Sequence, residues 1–155
     1  MTIERVSEAD LGELLPLMRG YCDFYEVAPT DNALLALSRA LIADPEREGI
    51  QLLARNDGRA VGFATIFWSW ATTSAGRIGV MNDLFVAPGA RGSGVAEALI
   101  EACRAECASR GAGKLTWQTA PDNAAAIKLY DRIGANREQW VDYWLAIEQP
   151  ASARG

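Results

Sequence analysis

The chain begins with two stretches in which apolar residues return every three to four positions. Leu11, Leu14, Leu15 and Met18 fall on one helical face behind Ser7 and Asp10, whose spacing is that of a capping box, which predicts a helix reaching about Tyr25. Pro29-Thr30-Asp31 restarts a second helix carrying Leu34, Leu37, Leu41 and Ile42, and Asp44-Pro45 closes it. The period then shortens. Residues 51–55 and 60–69, with Asn56-Asp57-Gly58-Arg59 between them, predict a hairpin, because Asp-Gly supplies the positive φ angles a tight turn needs. A strand over 77–86 follows. Next come a loop over 87–92 and an alanine-rich helix to about Arg110, where Gly111 suits the left-handed cap. A short strand over 114–119, a helix over 122–133 ended by Gly134, and a last strand over 139–147 complete the order. A strand-helix-strand crossover beside antiparallel neighbours predicts an α/β fold, a mixed sheet with helices on its faces.

Composition narrows the possibilities. The 155 residues are half hydrophobic and 23% charged, so one self-supporting domain over 1–148 is expected, with 149–155 as a frayed, disordered tail. A formal charge of −5 disfavours nucleic acid and anionic membranes as partners. The sequence has no histidine, which removes Ser-His-Asp, Cys-His and histidine-zinc chemistry, and no metal is expected. Three cysteines, without a signal-peptide pattern, fit a reducing cytoplasm, and Cys103 and Cys107 read as core. No apolar run approaches the roughly 18 residues of a membrane span.

The segment Leu84-Phe85-Val86-Ala87-Pro88-Gly89-Ala90-Arg91-Gly92-Ser93-Gly94-Val95-Ala96 takes a strand through a glycine-rich turn directly into a helix. Gly92 and Gly94 allow backbone N–H groups to approach an anion, and the helix N-terminus behind them adds partial positive charge. No Gly-Lys-Ser/Thr follows, and Glu97 stands where a dinucleotide fingerprint needs its third glycine. Structural helix entry and a phosphate cradle both fit this loop. A second segment, Asn123 to Ala135, can be capped by Asn123 and puts Ala126, Leu129, Tyr130 and Ile133 on one face. Taken by itself, Tyr130 reads as an amphipathic core residue with a wet hydroxyl.

Together the two segments resemble the GNAT superfamily of acetyl-CoA-dependent N-acetyltransferases. Arg91, Gly94 and Ala96 meet the family's Arg/Gln-x-x-Gly-x-Gly/Ala signature after a Leu-Phe-Val strand. Asn123, Ala126, Leu129, Tyr130 and Gly134 meet its second motif in register. The resemblance spans about Ile3 to Ile147. It implies a mostly antiparallel mixed sheet of about six to seven strands flanked by four helices, with acetyl-CoA as cosubstrate. It also implies that backbone amides of Arg91, Gly92, Ser93, Gly94, Val95, Ala96 and Glu97 hold the pyrophosphate, and that Leu84, Phe85 and Val86 pair with the pantetheine arm as a further strand would. Asn123 would contact the cofactor or cap the helix beside it. Tyr130 would return a proton to the departing thiolate as general acid.

An amine can attack the acetyl carbonyl directly, so no covalent enzyme intermediate is needed, and a carboxylate acting through water can take the ammonium proton. Asp83 is the candidate for that role or for orienting the amine; a solvent-facing charge or a partner of an arginine is the plain alternative. The run Asn82-Asp83-Leu84-Phe85-Val86 looks most like the diamine-acetyltransferase-like branch, which carries an acidic pair there. Asn82 replaces the first acid, which weakens the polyamine case and leaves amino-acid-like or aminoglycoside-like acceptors open. Tyr25 and Glu26, with Asp23, Tyr21 and Phe24, could add charge and an aromatic wall for a small-molecule amine. Trp68 and Trp70 should share a strand face, as a pocket wall or subunit contact, and Trp117, Trp140 and Trp144 should fill core or interface. A homodimer would suit the family. Acetylation of protein N-termini and a non-catalytic acyl-CoA-binding regulator are the competing functions.

Overall fold

In the computed structural model, residues 1–150 are described and gather into two compact units, Met1–Ala120 and the part from Pro121 onward. Most of the expected tail, 151–155, lies outside the described residues.

The first unit holds β1 (Thr2–Arg5), α1 (Leu11–Phe24), α2 (Asp31–Ala43), β2 (Gly49–Asn56), β3 (Arg59–Ala71), β4 (Gly76–Val86), α3 (Val95–Ser109) and β5 (Leu115–Thr116). The strands form one sheet in the order β1-β2-β3-β4-β5. All neighbours are antiparallel except β4 and β5, which α3 joins in parallel, as the crossover predicted. Asp57 and Gly58 turn the β2–β3 hairpin at φ of 49° and 77°. The capping box forms, with Ser7 N–H donating to the Asp10 carboxylate at 2.8 Å, but it opens a single 3₁₀ turn ahead of α1.

The core packs on both faces of the sheet. On one face, Leu14, Leu17 and Met18 of α1 and Leu34 of α2 meet Leu53 and Phe63. On the other, Leu99, Ile100 and Cys103 of α3 are wholly buried. Each such side chain contributes about 1.5–3 kcal/mol of transfer free energy. Gly79 of β4 sits so close to α3 that a Cβ there would lie 2.6 Å from Cys107 Sγ.

Three expectations need correction. The sheet has five strands among the described residues, against the six to seven expected. Residues 139–147 form no strand; Trp140, Tyr143, Trp144 and Leu145 are 79–91% exposed. Trp140 and Trp144 are therefore not core. The strand expected over 114–119 keeps only Leu115 and Thr116, the residues that face Gly79 and Val80. Conversely, β1 was missed. Its sequence, Thr-Ile-Glu-Arg, shows one apolar residue, too few to reveal a period of two, and pairing with Leu52–Arg55 defines it.

In the second unit, α4 (Ala124–Arg132) is capped as expected, Asn123 accepting from Ala126 N–H at 3.3 Å. Gly134 ends it at φ of 81°. None of its residues is fully buried. Ala126, Leu129, Tyr130 and the C-cap Ile133, the face the spacing predicted, are partly shielded, and Ile127 is shielded beside them.

Candidate active site

The site is organised by β4. Along its whole length it pairs with β3, but with β5 it pairs only at Gly79 and Val80. From Met81 to Val86 the strand therefore has no second strand neighbour among the described residues, which include Leu84, Phe85 and Val86. An exposed row of backbone donors and acceptors is the surface to which an extended amide-bearing chain can add.

The turn after β4 is built for close backbone approach. Gly92 and Gly94 adopt φ of 77° and 85°, and no atom stands within 4 Å of where their Cβ atoms would be. Gly94 caps α3, whose first helical bond runs from Ala98 N–H to Gly94 O at 3.0 Å. The N–H groups of Val95 and Ala96 therefore precede the first intrahelical donor, Ala98 N–H, and point out of the helix end. Val95 itself, 1% exposed, pins that end to the core. Arg91 turns back on the strand, donating from Nε to Val86 O at 3.1 Å with its guanidinium 5.8 Å from the Phe85 ring centre. The Ser93 hydroxyl donates to Ala90 O, so it braces the loop. Glu97 lies in the first turn of α3.

A bulge shapes the opposite side of β4. Thr65 faces Asp83 and Ile66 faces Met81, so Asn82 is one residue too many. Before the bulge, Gly79 faces α3; after it, Phe85 packs on Gly20 of α1. The extra residue thus turns Asp83 and Phe85 to the face covered by α1 and α2. Asn82 O accepts from Tyr21 Oη at 3.1 Å, and Asn82 Nδ2 donates to Asp83 Oδ1 at 3.0 Å. Burial and the Asp83 charge push the Tyr21 phenol well above its ordinary range, so it stays a donor.

Asn82 and Asp83 line a cavity of about 110 Å³ together with Tyr21, Gln51, Phe63 and residues of α1 and α2. Tyr25 and Glu26 do not line it. Tyr25 packs against Tyr21 with ring centres 5.0 Å apart and planes tilted by 55°, and is half exposed, and Glu26, at φ of 56°, carries the chain out of α1. The sequence reading missed Gln51, although a polar residue inside Ile50-Gln51-Leu52-Leu53 was its signal. The tryptophan pair divides. Trp68 is buried, its indole donating to Pro45 O at 2.9 Å, while Trp70 is 67% exposed under Arg77. Asn123 and Tyr130, the remaining candidates, belong to the second unit, on α4.

The GNAT acetyltransferase family model matches residues 15–135, from α1 through α4. The chain belongs to the GNAT family. It is an acetyl-CoA-dependent N-acyltransferase. This GNAT chain is 30% identical over 148 residues, 95% of its length and 98% of the relative's, to the uncharacterized N-acetyltransferase YhfO of Bacillus subtilis. It is 29% identical over 133 residues to an acetyltransferase of Yersinia enterocolitica, covering 86% of each chain. Among solved structures, a probable acetyltransferase superposes with a TM-score of 0.84 at 27% identity, over 97% of this chain and 100% of that one. A ribosomal-protein-alanine N-acetyltransferase from Brucella melitensis gives 0.77 at 26% identity, over 95% and 100%. An aminoglycoside N-acetyltransferase solved with CoA shares the GNAT fold, with a TM-score of 0.82 at 21% identity over 94% of this chain and 93% of that one.

Proposed function

We propose that this protein transfers the acetyl group of acetyl-CoA directly to a primary amine of a small molecule. The observation that carries the reading is the combination on β4 of a strand edge with no second strand partner after Val80 among the described residues and a glycine turn opening α3. The residues fit the cosubstrate. Backbone groups of Leu84, Phe85 and Val86 would take the amide-bearing arm, and the N–H groups from Arg91 to Glu97 would take the pyrophosphate. Acetyl-CoA supplies the activated acetyl thioester; the chain supplies binding, orientation and two proton positions. Asp83 orients the incoming amine and accepts its proton through water. Tyr130 holds the proton that neutralises the departing sulfur, and Asn123 fixes the start of its helix.

Residues 1–148 act in this reading as a single N-acetyltransferase domain, supported by a family match that runs through both compact units. The protein works in the cytoplasm, in keeping with three reduced, buried cysteines. It works as a homodimer, supported by the exposed apolar run from Trp140 to Ile147. The relative that acts on ribosomal-protein alanine favours one second reading, a polypeptide N-terminus as acceptor. Polyamine-, amino-acid- and aminoglycoside-like amines and an N-terminal peptide form the test panel, read by calorimetry with acetyl-CoA and by release of free thiol. Absence of acetyl-CoA binding rules the proposal out. With an active amine in hand, Tyr130→Phe lowers kcat by about 100-fold or more while sparing acetyl-CoA affinity; unchanged turnover removes Tyr130 from the mechanism.

A further inference from the structure

Gln51 on β2, Thr65 on β3 and Asp83 on β4 are register partners in turn, so their side chains form a polar row across the face that α1 and α2 cover. Their neighbours on that face, Leu53, Phe63 and Phe85, are apolar. Gln51 is 3% exposed and Thr65 is fully buried. Gln51 Nε2 donates to Thr65 Oγ1 at 3.1 Å, while Gln51 Oε1 has no partner. A buried carbonyl oxygen without a donor is an unmet acceptor, and Gln51 and Asp83 line the same cavity of about 110 Å³. No lysine or arginine lines it, and Met18, Leu34 and Leu37 give it an apolar wall.

We propose that this cavity is the acceptor pocket and that it takes a short aliphatic amine bearing a second N–H donor, a diamine in its simplest form. One nitrogen meets Asp83 and the other meets Gln51 Oε1. The inference rests on the acetyl-transfer reading for the role of the bound amine, but the pocket chemistry stands on its own residues. At about 10–15 Å³ for each water-sized group, the cavity has room for roughly seven to eleven non-hydrogen atoms. Its single carboxylate and absent cations select a cationic ligand. The carboxylate of an amino acid would find no positive partner there, and Tyr21 already spends its hydroxyl proton on Asn82 O. Gln51 is thus a specificity-determining residue: an acceptor lacking the second donor leaves Oε1 unmet and is rejected.

The experiment uses the full chain with 1,4-diaminobutane, 1-aminobutane and 4-aminobutanoate. Binding is read by calorimetry and turnover by thiol release with acetyl-CoA. The expected order places 1,4-diaminobutane about tenfold above 1-aminobutane in affinity and kcat/KM, with 4-aminobutanoate weakest. In Gln51→Leu the ratio between the first two falls towards unity through KM. Gln51→Met, read with its thermal melt, repeats the measurement in a second background. Equal preference for the three amines, or a ratio unmoved in both variants, overturns the inference. Diamine binding that depends on Gln51 without thiol release overturns the acetyl-transfer reading and leaves the pocket assignment standing.

Discussion

The two halves of β4 do different work. From Gly76 to Val80 the strand is held between β3 and β5 and presses on α3 so tightly that Gly79 has no room for a methyl group. From Met81 to Val86 it keeps β3, loses β5, admits a bulge at Asn82 and ends in an open glycine turn. One strand thus passes from a segment closed by packing to a segment with an open edge and two residues on a cavity. Substitutions in the first half should change stability, and those in the second half should change binding and rate.

The largest expected effect lies beyond the bulge. Asp83→Asn should lower kcat/KM by on the order of 100-fold, the usual worth of a positioned acid or base, with the melting temperature preserved. Steady-state kinetics beside a thermal melt would show it, and a variant that melts early but turns over normally would merge the two halves into one. Gly94→Val comes next. A β-branched residue at φ of 85° is strained, and its side chain enters the space left for an anion, so acetyl-CoA affinity should drop about tenfold or more by calorimetry. Gly79→Val tests the closed half. Overpacking against Cys107, Ile66 and Trp68 should cost about 1–3 kcal/mol in urea unfolding while acetyl-CoA affinity of the folded protein stays constant. The smallest effect is an expected silence. Burial pushes the Cys103 thiol up to about 12, and Cys22 and Cys107 are raised by burial as well. A raised pKa keeps a thiol protonated through neutral and mildly alkaline pH, so a disulfide reagent at pH 8 should read none of the three until the chain unfolds.

The helices, the hairpin and the β4–α3 turn were legible because each leaves a local trace: a period of 3.6, an Asp-Gly pair, glycines where positive φ is needed. The family motifs lie in the same local stretches. The missed features are relational. The β1 strand exists through its pairing with β2. Residues 139–147 have the side chains of a strand, yet no strand forms there. Gln51 looked like one polar residue in an apolar strand, and only its registry with Thr65 and Asp83 makes it one end of a polar row. Tyr25 and Glu26 lie near Tyr21 in sequence, whereas the helix directs Tyr21, not Tyr25, towards Asn82.

The bulge at Asn82 makes the parity of β4 a functional quantity. Deleting this single residue would remove neither Asp83 nor Phe85; it would rotate both to the side where α3 packs, and bring Leu84 round in their place. A shortened strand could keep every acidic and aromatic group and still present a greasy wall to the cavity that Asn82 and Asp83 line. Chain length at this point, as much as residue identity, decides which side chains reach the cavity under α1 and α2.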